Sequence, residues 1–213
     1  QGFMPVFDTR IADGGETFFR EVGPEENLPS LIRDLVSGRI PEELGCDPMR
    51  DIQVLTPMHD TPVGVTNLNR VLQQAINGGS RVVFQRGERI FRLGDKVMQT
   101  RNDYGKDIYN GDIGFVRGYD EDENLLSVDY DGRGVTYAPE ETDDLLLAYA
   151  ITVHKSQGNE YEIVIVPVVM QHRIMLRRNL MYTAMTRARR MMVFLGQRSA
   201  LSLAVQNTNE QLR

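Results

Sequence analysis

Cysteine is nearly absent from this chain of 213 residues, in which Cys46 is the only one. A single cysteine can form neither an intrachain disulfide nor a zinc site built from several thiolates, so both are excluded as sources of stability. The same scarcity is typical of proteins from a reducing compartment, and we expect a cytoplasmic location. The chain is long enough to fold around a hydrophobic core of its own.

Long apolar runs and targeting segments are missing as well. No stretch is both apolar and long enough to cross a bilayer, and the first residues, QGFMPVFDTR, lack the pattern of a signal peptide. We therefore expect no membrane partner. The chain begins with Gln1 rather than methionine, which predicts that it is a piece of a longer or processed protein.

The sequence also lacks a phosphate-binding loop of the form G-x-x-x-x-G-K-[ST]. Its only Gly-Lys pair, Gly105-Lys106, is followed by Asp107. An acidic pair after an apolar strand, which would hold magnesium beside such a loop, is missing too, so we expect no metal site. The acidic run DEDEN at 120–124 lies between two short apolar segments and is interpreted as a solvated hairpin turn.

The charge is unevenly distributed along the chain. The net charge of −6 argues against nucleic-acid binding over the whole surface. Residues 102–149 contain 13 acidic and 3 basic side chains, whereas residues 150–213 contain 9 basic and 3 acidic ones. The basic end indicates either a local site for an anionic ligand or a solvated helix face, and charge alone leaves both open.

Hydrophobic periodicity predicts an α/β fold with an inserted β module. Strands are expected at TFFREV and DIQVLTP, and helices at PSLIRDLVSGRIP and VGVTNLNRVLQQAINGG. From Phe84 to about Leu147, short alternating segments separated by NG, DEDEN and DGRG predict a small antiparallel barrel of about five strands. The predicted domains are therefore an α/β domain made of residues 1–83 and 148–213, and a barrel at 84–147.

The segment AYAITVHKSQGNEYEIVIVPV, residues 148–168, predicts a strand, a polar turn and a second strand. Gly158 would let a ligand approach the backbone closely, and a short helix after the first strand would offer free N–H groups to an anion. The alternative is a polar loop that caps a helix. The turn is rich in groups that can contact phosphate or sugar: Thr152, His154, Lys155, Ser156 and Gln157.

The segment MLRRNLMYTAMTRARR predicts a helix followed by the strand MMVFLG and the helix SALSLAVQN. Its apolar side repeats every four residues at Leu176, Leu180, Ala184 and Ala188. A second stripe consists of Asn179, Thr183, Arg187 and Arg190. An arginine held on a rigid helix suits phosphate recognition, whereas the alternative is an exposed basic helix end favoured by the helix dipole.

Four motifs carry a resemblance to a known family. LAYAITVHKSQGNEYEIVIVPV followed by RNLMYTAMTRAR resembles motifs V and VI of superfamily 1 helicases. IQVLTPMHDTPVGVTNLNRVLQQAIN and FRLGDKVMQTRNDYGKDIYNGDIGFV narrow the resemblance to the RecD-like branch of superfamily 1B, the exodeoxyribonuclease V alpha-subunit family of 5′-to-3′ DNA helicases. It extends from about Thr17 to Ser202.

The resemblance implies a second RecA-like motor domain with an inserted SH3-like barrel, the C-terminal part of an ATP-dependent helicase of DNA repair and recombination. ATP and Mg²⁺ would be bound by the intact parent and not by this fragment alone. The implied partners are single-stranded DNA, an N-terminal motor domain that would precede Gln1, and nuclease-helicase subunits. Because the phosphate loop and the acidic pair are missing, we expect the fragment alone to be inactive in ATP hydrolysis.

Roles for individual residues follow from the same resemblance. Arg187 would be the catalytic arginine finger at the γ-phosphate, and Gly158 and Glu160 would lie nearest the nucleotide. The DNA contacts would include the motif V turn, with Thr152, His154, Lys155, Ser156 and Gln157, the preceding strand end, with Thr56 and Pro57, and the barrel residues Asn102, Tyr104 and Asn110.

One motif departs from the family pattern. After LTPM the family has a basic residue followed by glycine, whereas this chain has His59-Asp60-Thr61. A carboxylate repels phosphate, so no phosphate-binding role is carried over to Asp60.

Two other readings of the chain remain beside the helicase. It could be a non-catalytic nucleic-acid-binding or subunit-docking module of a nuclease-helicase complex, or a general α/β domain with a β insertion. A competent first motor domain before Gln1 distinguishes the helicase from the docking module.

Overall fold

The structure, a computed structural model, describes residues 16–23 and 25–207. The chain forms two compact units: the first combines residues up to 71 with those from 150 onward, and the second comprises residues 72–149. Residues 1–15 of the predicted α/β domain lie outside the described residues. The domain boundaries proposed from the sequence, at 84 and 147, stay a prediction.

The first unit is built on a five-stranded, all-parallel sheet, which confirms the predicted α/β class. Strands β2 and β11 are flanked on both sides within the sheet and read as nearly continuous apolar runs, as expected where helices cover both faces. The spatial order is β1-β12-β11-β2-β10, with β1 at Glu16–Glu21, β2 at Ile52–Thr56, β10 at Ala150–Thr152, β11 at Tyr161–Val168 and β12 at Ala188–Gly196.

The first helix begins at a side chain that satisfies one of its terminal N–H groups. The Asn27 side chain accepts a hydrogen bond from the Ser30 N–H at the start of α1 (3.0 Å). The helices are α1 at Leu28–Asp34, α2 at Ile40–Leu44, α3 at Val65–Asn77, α4 at Arg178–Met185 and α5 at Arg198–Gln206. Over the described ranges, none of them has the length and apolar character needed to cross a bilayer.

The first predicted helix continues past its expected end. A π-helical turn at Leu35–Arg39 joins α1 to α2, and the helix stops only at Gly45, which has a φ of 64°. The sequence placed the end near Gly38 and Pro41, and this was wrong. The wider π turn removes the usual i−4 hydrogen-bonding pattern just before Pro41, whose ring supplies no N–H, so the proline is accommodated.

The second unit is the predicted β module, with a hairpin and a five-stranded antiparallel sheet. The run DEDEN is confirmed as the turn between two strands, and Asp131-Gly132, both at positive φ, closes the next hairpin. The hairpin consists of β3 at Val82–Arg86 and β4 at Arg89–Arg92. The sheet order is β8-β7-β6-β5-β9, with β5 at Lys96–Gln99, β6 at Ile113–Asp120, β7 at Leu125–Tyr130, β8 at Arg133–Tyr137 and β9 at Leu145–Leu147.

One buried carboxylate holds together several segments of the second unit. Asp95 has no exposed surface. One carboxylate oxygen accepts from the Gln73 side chain and the Arg92 N–H (both 2.6 Å), and the other accepts from Asn77 (2.7 Å) and the Tyr149 hydroxyl (2.8 Å). A buried charge requires such partners, so Asp95 joins α3, the turn after β4 and the end of the unit.

We predict that Asp95→Ala destabilises the protein by about 3 kcal/mol, because two buried and two half-buried donors lose their acceptor at once. The midpoint of urea unfolding, followed by circular dichroism, should fall accordingly. Glu123→Ala, in the exposed turn before β7, is the matched control and should change stability by less than about 0.5 kcal/mol. Equal midpoints for the two variants would contradict the role of Asp95.

Candidate functional site

The loop at 153–160 runs from the carboxyl-end edge of the parallel sheet to its amino-end edge. It leaves the carboxyl end of β10, where the Val153 N–H donates to the Thr56 carbonyl (3.2 Å). It reaches the amino end of β11, where the Tyr161 N–H donates to the Arg187 carbonyl (2.8 Å). Since all strands run in one direction, a single short loop carries residues at both edges of the sheet.

This loop is a series of turns and contains no helix, contrary to one expectation from the sequence. The Ser156 N–H is bonded to the Thr152 carbonyl at the end of β10, and the N–H groups of Gln157 and Asn159 are bonded to carbonyls within the loop. They are therefore not free to bind an anion. Gly158 lies in the left-handed region with a φ of 89°, where a side chain would be strained, and this breaks any helical continuation.

The polar residues of the loop fall into an outward and an inward set. His154 and Gln157 are exposed, and Lys155 is half-buried, which lowers the pKa of its ammonium group. Thr152 and Ser156 are buried. The Thr152 hydroxyl accepts from the Lys155 N–H (3.2 Å), and the Ser156 hydroxyl donates to the Val153 carbonyl (2.7 Å). The inward hydroxyls therefore shape the turn that presents the outward side chains.

The predicted contacts at the end of β2 are also buried. Thr56 has no exposed surface and its hydroxyl donates to the Val63 carbonyl (2.7 Å), while Pro57 lies in the interior. Asp60 accepts from the Thr66 hydroxyl in the first turn of α3 (3.1 Å). Asp60, which departs from the family pattern, therefore stabilises the start of α3.

A buried histidine supports the loop that follows β2. His172, which has no exposed surface, places its Nε2 3.0 Å from the Thr61 hydroxyl. Burial disfavours the charged imidazolium and lowers the pKa of His172 to about 4. The imidazole is therefore neutral at physiological pH and acts as a hydrogen-bonding partner of the loop.

Arg187 lies between α4 and β12, and not on a helix as the sequence predicted. The helix ends at Met185, and Ala188 already pairs with Tyr161 in the sheet. Arg190, assigned to the same helical stripe, belongs to β12. The four-residue spacing was misleading, because Ala188 is buried in β12 and the expected helix would have buried it as well.

The guanidinium of Arg187 is held by neutral groups. Nη1 donates to the Asn159 carbonyl (3.0 Å) and Nη2 to the Thr186 hydroxyl (3.2 Å). The side chain is half-buried, and no carboxylate of the described residues forms an ion pair with it. The sequence analysis did not identify Thr186 or Asn159 as site residues. The only indication in the sequence is that Thr186 precedes Arg187 and Asn159 follows Gly158.

Glu160 lies at the same edge of the sheet and is exposed. It accepts from Arg189 Nε (3.0 Å), and the same arginine has its Nη1 4.0 Å from Glu162. Both side chains of the closer pair are more than half exposed, so the ion pair adds little stability and can exchange for another partner. The fold thus brings Arg187 against the segment that carries Gly158 and Glu160, through the Asn159 carbonyl between them.

The three predicted barrel contacts share one exposed loop of the second unit. The Asn102 side chain accepts from the Asn110 N–H (2.9 Å) and lies 3.4 Å from the Tyr104 hydroxyl. Tyr104 is 78% exposed and meets Tyr109 edge to face, with ring centroids 6.2 Å apart. Tyr109 was not predicted. The loop therefore presents an aromatic pair supported by polar contacts.

Comparison of the sequence with known proteins identifies its family. The sequence model described as the SH3 domain of ATP-dependent RecD-like DNA helicases matches residues 68–130, and the UvrD-like helicase C-terminal domain matches residues 147–195. A relative described in the next paragraph is 42% identical over 75% of this chain. The chain belongs to the RecD-like helicase family. Recognition from the four motifs is thereby confirmed.

Individual relatives agree with this assignment. The RecD-like chain is 42% identical over 162 residues to the ATP-dependent RecD2 DNA helicase of Deinococcus radiodurans, over 75% of this chain and 22% of that protein. It is 30% identical over 148 residues to the RecBCD enzyme subunit RecD of Mycolicibacterium smegmatis, over 68% of this chain and 25% of the relative. The chain thus spans about a quarter of the length of these relatives.

The fold is shared with a solved helicase. A crystal structure of Pif1 helicase from Bacteroides, in complex with ADP-AlF3 and single-stranded DNA, superposes with a TM-score of 0.50 at 21% identity. The match covers 83% of this chain and 50% of that one. It agrees with the α/β class of the first unit.

The buried state of His172 predicts a pH dependence of stability. The His172 imidazole takes up a proton near pH 6.5 in the unfolded chain and only near pH 4 in the folded one. The stability that His172 contributes above pH 6.5 is therefore lost as the pH falls from 6.5 to 4, by about 3 kcal/mol.

His172→Gln, which can keep a hydrogen bond to Thr61 but does not titrate, should remove this contribution. Urea unfolding of both proteins from pH 7 to pH 4 measures the contribution of His172 as the difference between their free energies of unfolding. The titration of the carboxylates is common to both proteins and cancels in this difference. A stability difference that stays constant across the window would refute the buried neutral imidazole.

Proposed function

We propose that this chain is the C-terminal motor part of an ATP-dependent 5′-to-3′ DNA helicase, supplying the arginine finger and part of the single-strand track. The observation that carries the proposal is the state of Arg187: half-buried, ordered by two neutral acceptors and, over the described ranges, without a carboxylate partner. Such a guanidinium is available to an anion. The RecD2 DNA helicase relative supports ATP and DNA as the ligands.

The position of Arg187 favours a nucleotide held by another domain. In open α/β sheets, ligands bind outside the carboxyl ends of the strands, whereas Arg187 lies at the amino ends of β11 and β12. An arginine at that edge suits a finger that stabilises the transition-state charge on a γ-phosphate from outside. In this proposal ATP and Mg²⁺ are held by a preceding motor domain, and Gly158 and Glu160 border the nucleotide.

The proposed single-strand track runs along the carboxyl edge. His154, Lys155 and Gln157 point outward there and can contact the backbone or a base. In this proposal Thr56, Pro57, Thr152 and Ser156 act by shaping the loops, since their side chains are buried. On the barrel loop, Asn102 and Asn110 would support stacking of a base on Tyr104. The 5′-to-3′ direction rests on family resemblance.

A second candidate function is a docking or nucleic-acid-binding module without catalysis of its own. It is favoured by relatives named as subunits of the RecBCD enzyme. In both readings we expect no ATP hydrolysis by the chain alone. A motor domain with a phosphate-binding loop in the intact protein distinguishes the two.

We predict that Arg187→Ala in the intact parent lowers kcat for ATP hydrolysis by about a thousandfold or more, because the transition-state charge loses its guanidinium partner. Affinity for single-stranded DNA, measured by fluorescence anisotropy, should stay the same. Arg198→Ala, which removes the same charge at the start of α5, is the control and should turn over normally. Normal turnover by the Arg187 variant would show that the finger is another residue.

We predict that Lys155→Gln weakens binding of an oligothymidine strand and lowers the slope of log K against log salt by about 0.7, the value for one lost phosphate contact on a single strand. Arg198→Gln, with the same change in net charge, should leave the slope unaltered. If the two variants behave alike, the effect is one of overall charge, and the track does not pass Lys155.

A further inference from the structure

Thr186 is the C-cap residue of α4, and its hydroxyl both donates and accepts a hydrogen bond. Its backbone has a φ of −71° and a ψ of −2°, and its N–H donates to the Tyr182 carbonyl (3.0 Å). Its hydroxyl donates to the Thr183 carbonyl in the last helical turn (2.9 Å) and accepts from Arg187 Nη2 (3.2 Å). Because the donor and acceptor roles are both used, the orientation of this hydroxyl is fixed.

The backbone of Arg187 is fixed from both sides. Its N–H donates to the Ala184 carbonyl at the end of α4 (3.1 Å), and its carbonyl accepts from the Tyr161 N–H at the start of β11 (2.8 Å). The side chain therefore starts from a defined point. A long arginine side chain on such a base still has several free torsions, which must be restrained at its far end if the head group is to be positioned.

Counting the N–H groups of the guanidinium shows what is left for a ligand. A guanidinium carries five N–H donors. One on Nη1 is bonded to the Asn159 carbonyl and one on Nη2 to the Thr186 hydroxyl. Nε is buried and has no hydrogen-bond partner among the described residues. One N–H on each terminal nitrogen therefore has no partner among the described residues, and a phosphate oxygen can accept a hydrogen bond from such a group.

We propose that Thr186 is a positioning residue for Arg187: together with the Asn159 carbonyl, it holds the guanidinium so that the remaining terminal N–H groups meet a phosphoryl group. The inference rests on the proposed role of Arg187 in ATP hydrolysis. Ordering the side chain before the nucleotide arrives removes an entropy cost from the reaction step. A hydroxyl that served only to cap α4 would have no effect on the guanidinium.

The first test measures the guanidinium itself and does not depend on any activity. In the chain as it stands, NMR of the Arg187 Nε–H and Nη–H groups should report hindered rotation and slow hydrogen exchange. Thr186→Val, which is nearly isosteric, should speed both by about tenfold, whereas Thr186→Ser, which keeps the hydroxyl, should resemble the native chain. Unchanged rotation and exchange in the valine variant would overturn the proposal.

The second test measures turnover by the intact parent. Thr186→Val should lower kcat for ATP about tenfold with KM within twofold of normal, because the hold on the guanidinium matters in the transition state. Thr186→Ser should restore kcat to within about twofold. A normal kcat for the valine variant, or a change confined to KM, would overturn the proposal.

The outcomes separate this inference from the function on which it rests. If Arg187→Ala loses turnover and Thr186→Val does not, the finger stands and Thr186 has no positioning role. If Arg187→Ala retains turnover, the finger assignment fails, and the NMR comparison alone decides whether Thr186 holds Arg187. Should the valine variant not fold, judged by its amide spectrum, Thr186→Ala removes the same hydroxyl and carries the same expectations.

Discussion

The parallel pairing of β11 with β12 is the contact on which the geometry of the candidate site depends. It begins where Tyr161 meets Ala188, and the Tyr161 N–H bonds to the carbonyl of Arg187. This pairing brings two segments distant in sequence, 159–162 and 186–189, to the same edge of the sheet. Without it, the Asn159 carbonyl would not reach the Arg187 guanidinium, and Glu160 would not meet Arg189.

The loop at 153–160 adds a connection between this edge and the opposite one. Hydrogen bonds run through it from Thr152 to Ser156 and from Ser156 to Asn159, whose carbonyl accepts from Arg187. The loop therefore joins the outward turn to the arginine through short, hydrogen-bonded segments. In a motor that alternates between nucleotide states, such a loop would link a strand at one edge to a phosphate at the other.

The sequence predicted those features that depend on local pattern. Alternation from Phe84 to about Leu147 and the turn segments NG, DEDEN and DGRG indicated the antiparallel module, and the apolar runs on either side of the polar turn indicated two strands. The end of α4 was not predictable from spacing, because Ala188 fits a helical stripe and is buried in a strand instead. Only pairing with Tyr161, a contact between distant segments, decides between the two.

For the candidate site, residue type and motif singled out the turn at 152–157 and Arg187, whose roles stay proposals. Residue type could not tell which of these side chains point inward. Ser156 and Thr56 carry the same kind of hydroxyl as a phosphate-binding residue, and both are consumed by backbone carbonyls inside the fold. Thr186 and Asn159 could not be found from the sequence, since one acts through its position at a helix end and the other through its carbonyl.

The most direct measurement for this account is a structure of the intact parent with ADP, an aluminium fluoride mimic of the transferred phosphoryl group and a single strand. We expect the Arg187 guanidinium within hydrogen-bonding distance of the fluoride while it keeps its contacts to Thr186 and Asn159. We also expect the strand to pass His154 and Lys155 at the opposite edge of the sheet. A fluoride contacted by a different arginine, with Arg187 remote from the nucleotide, would contradict the account.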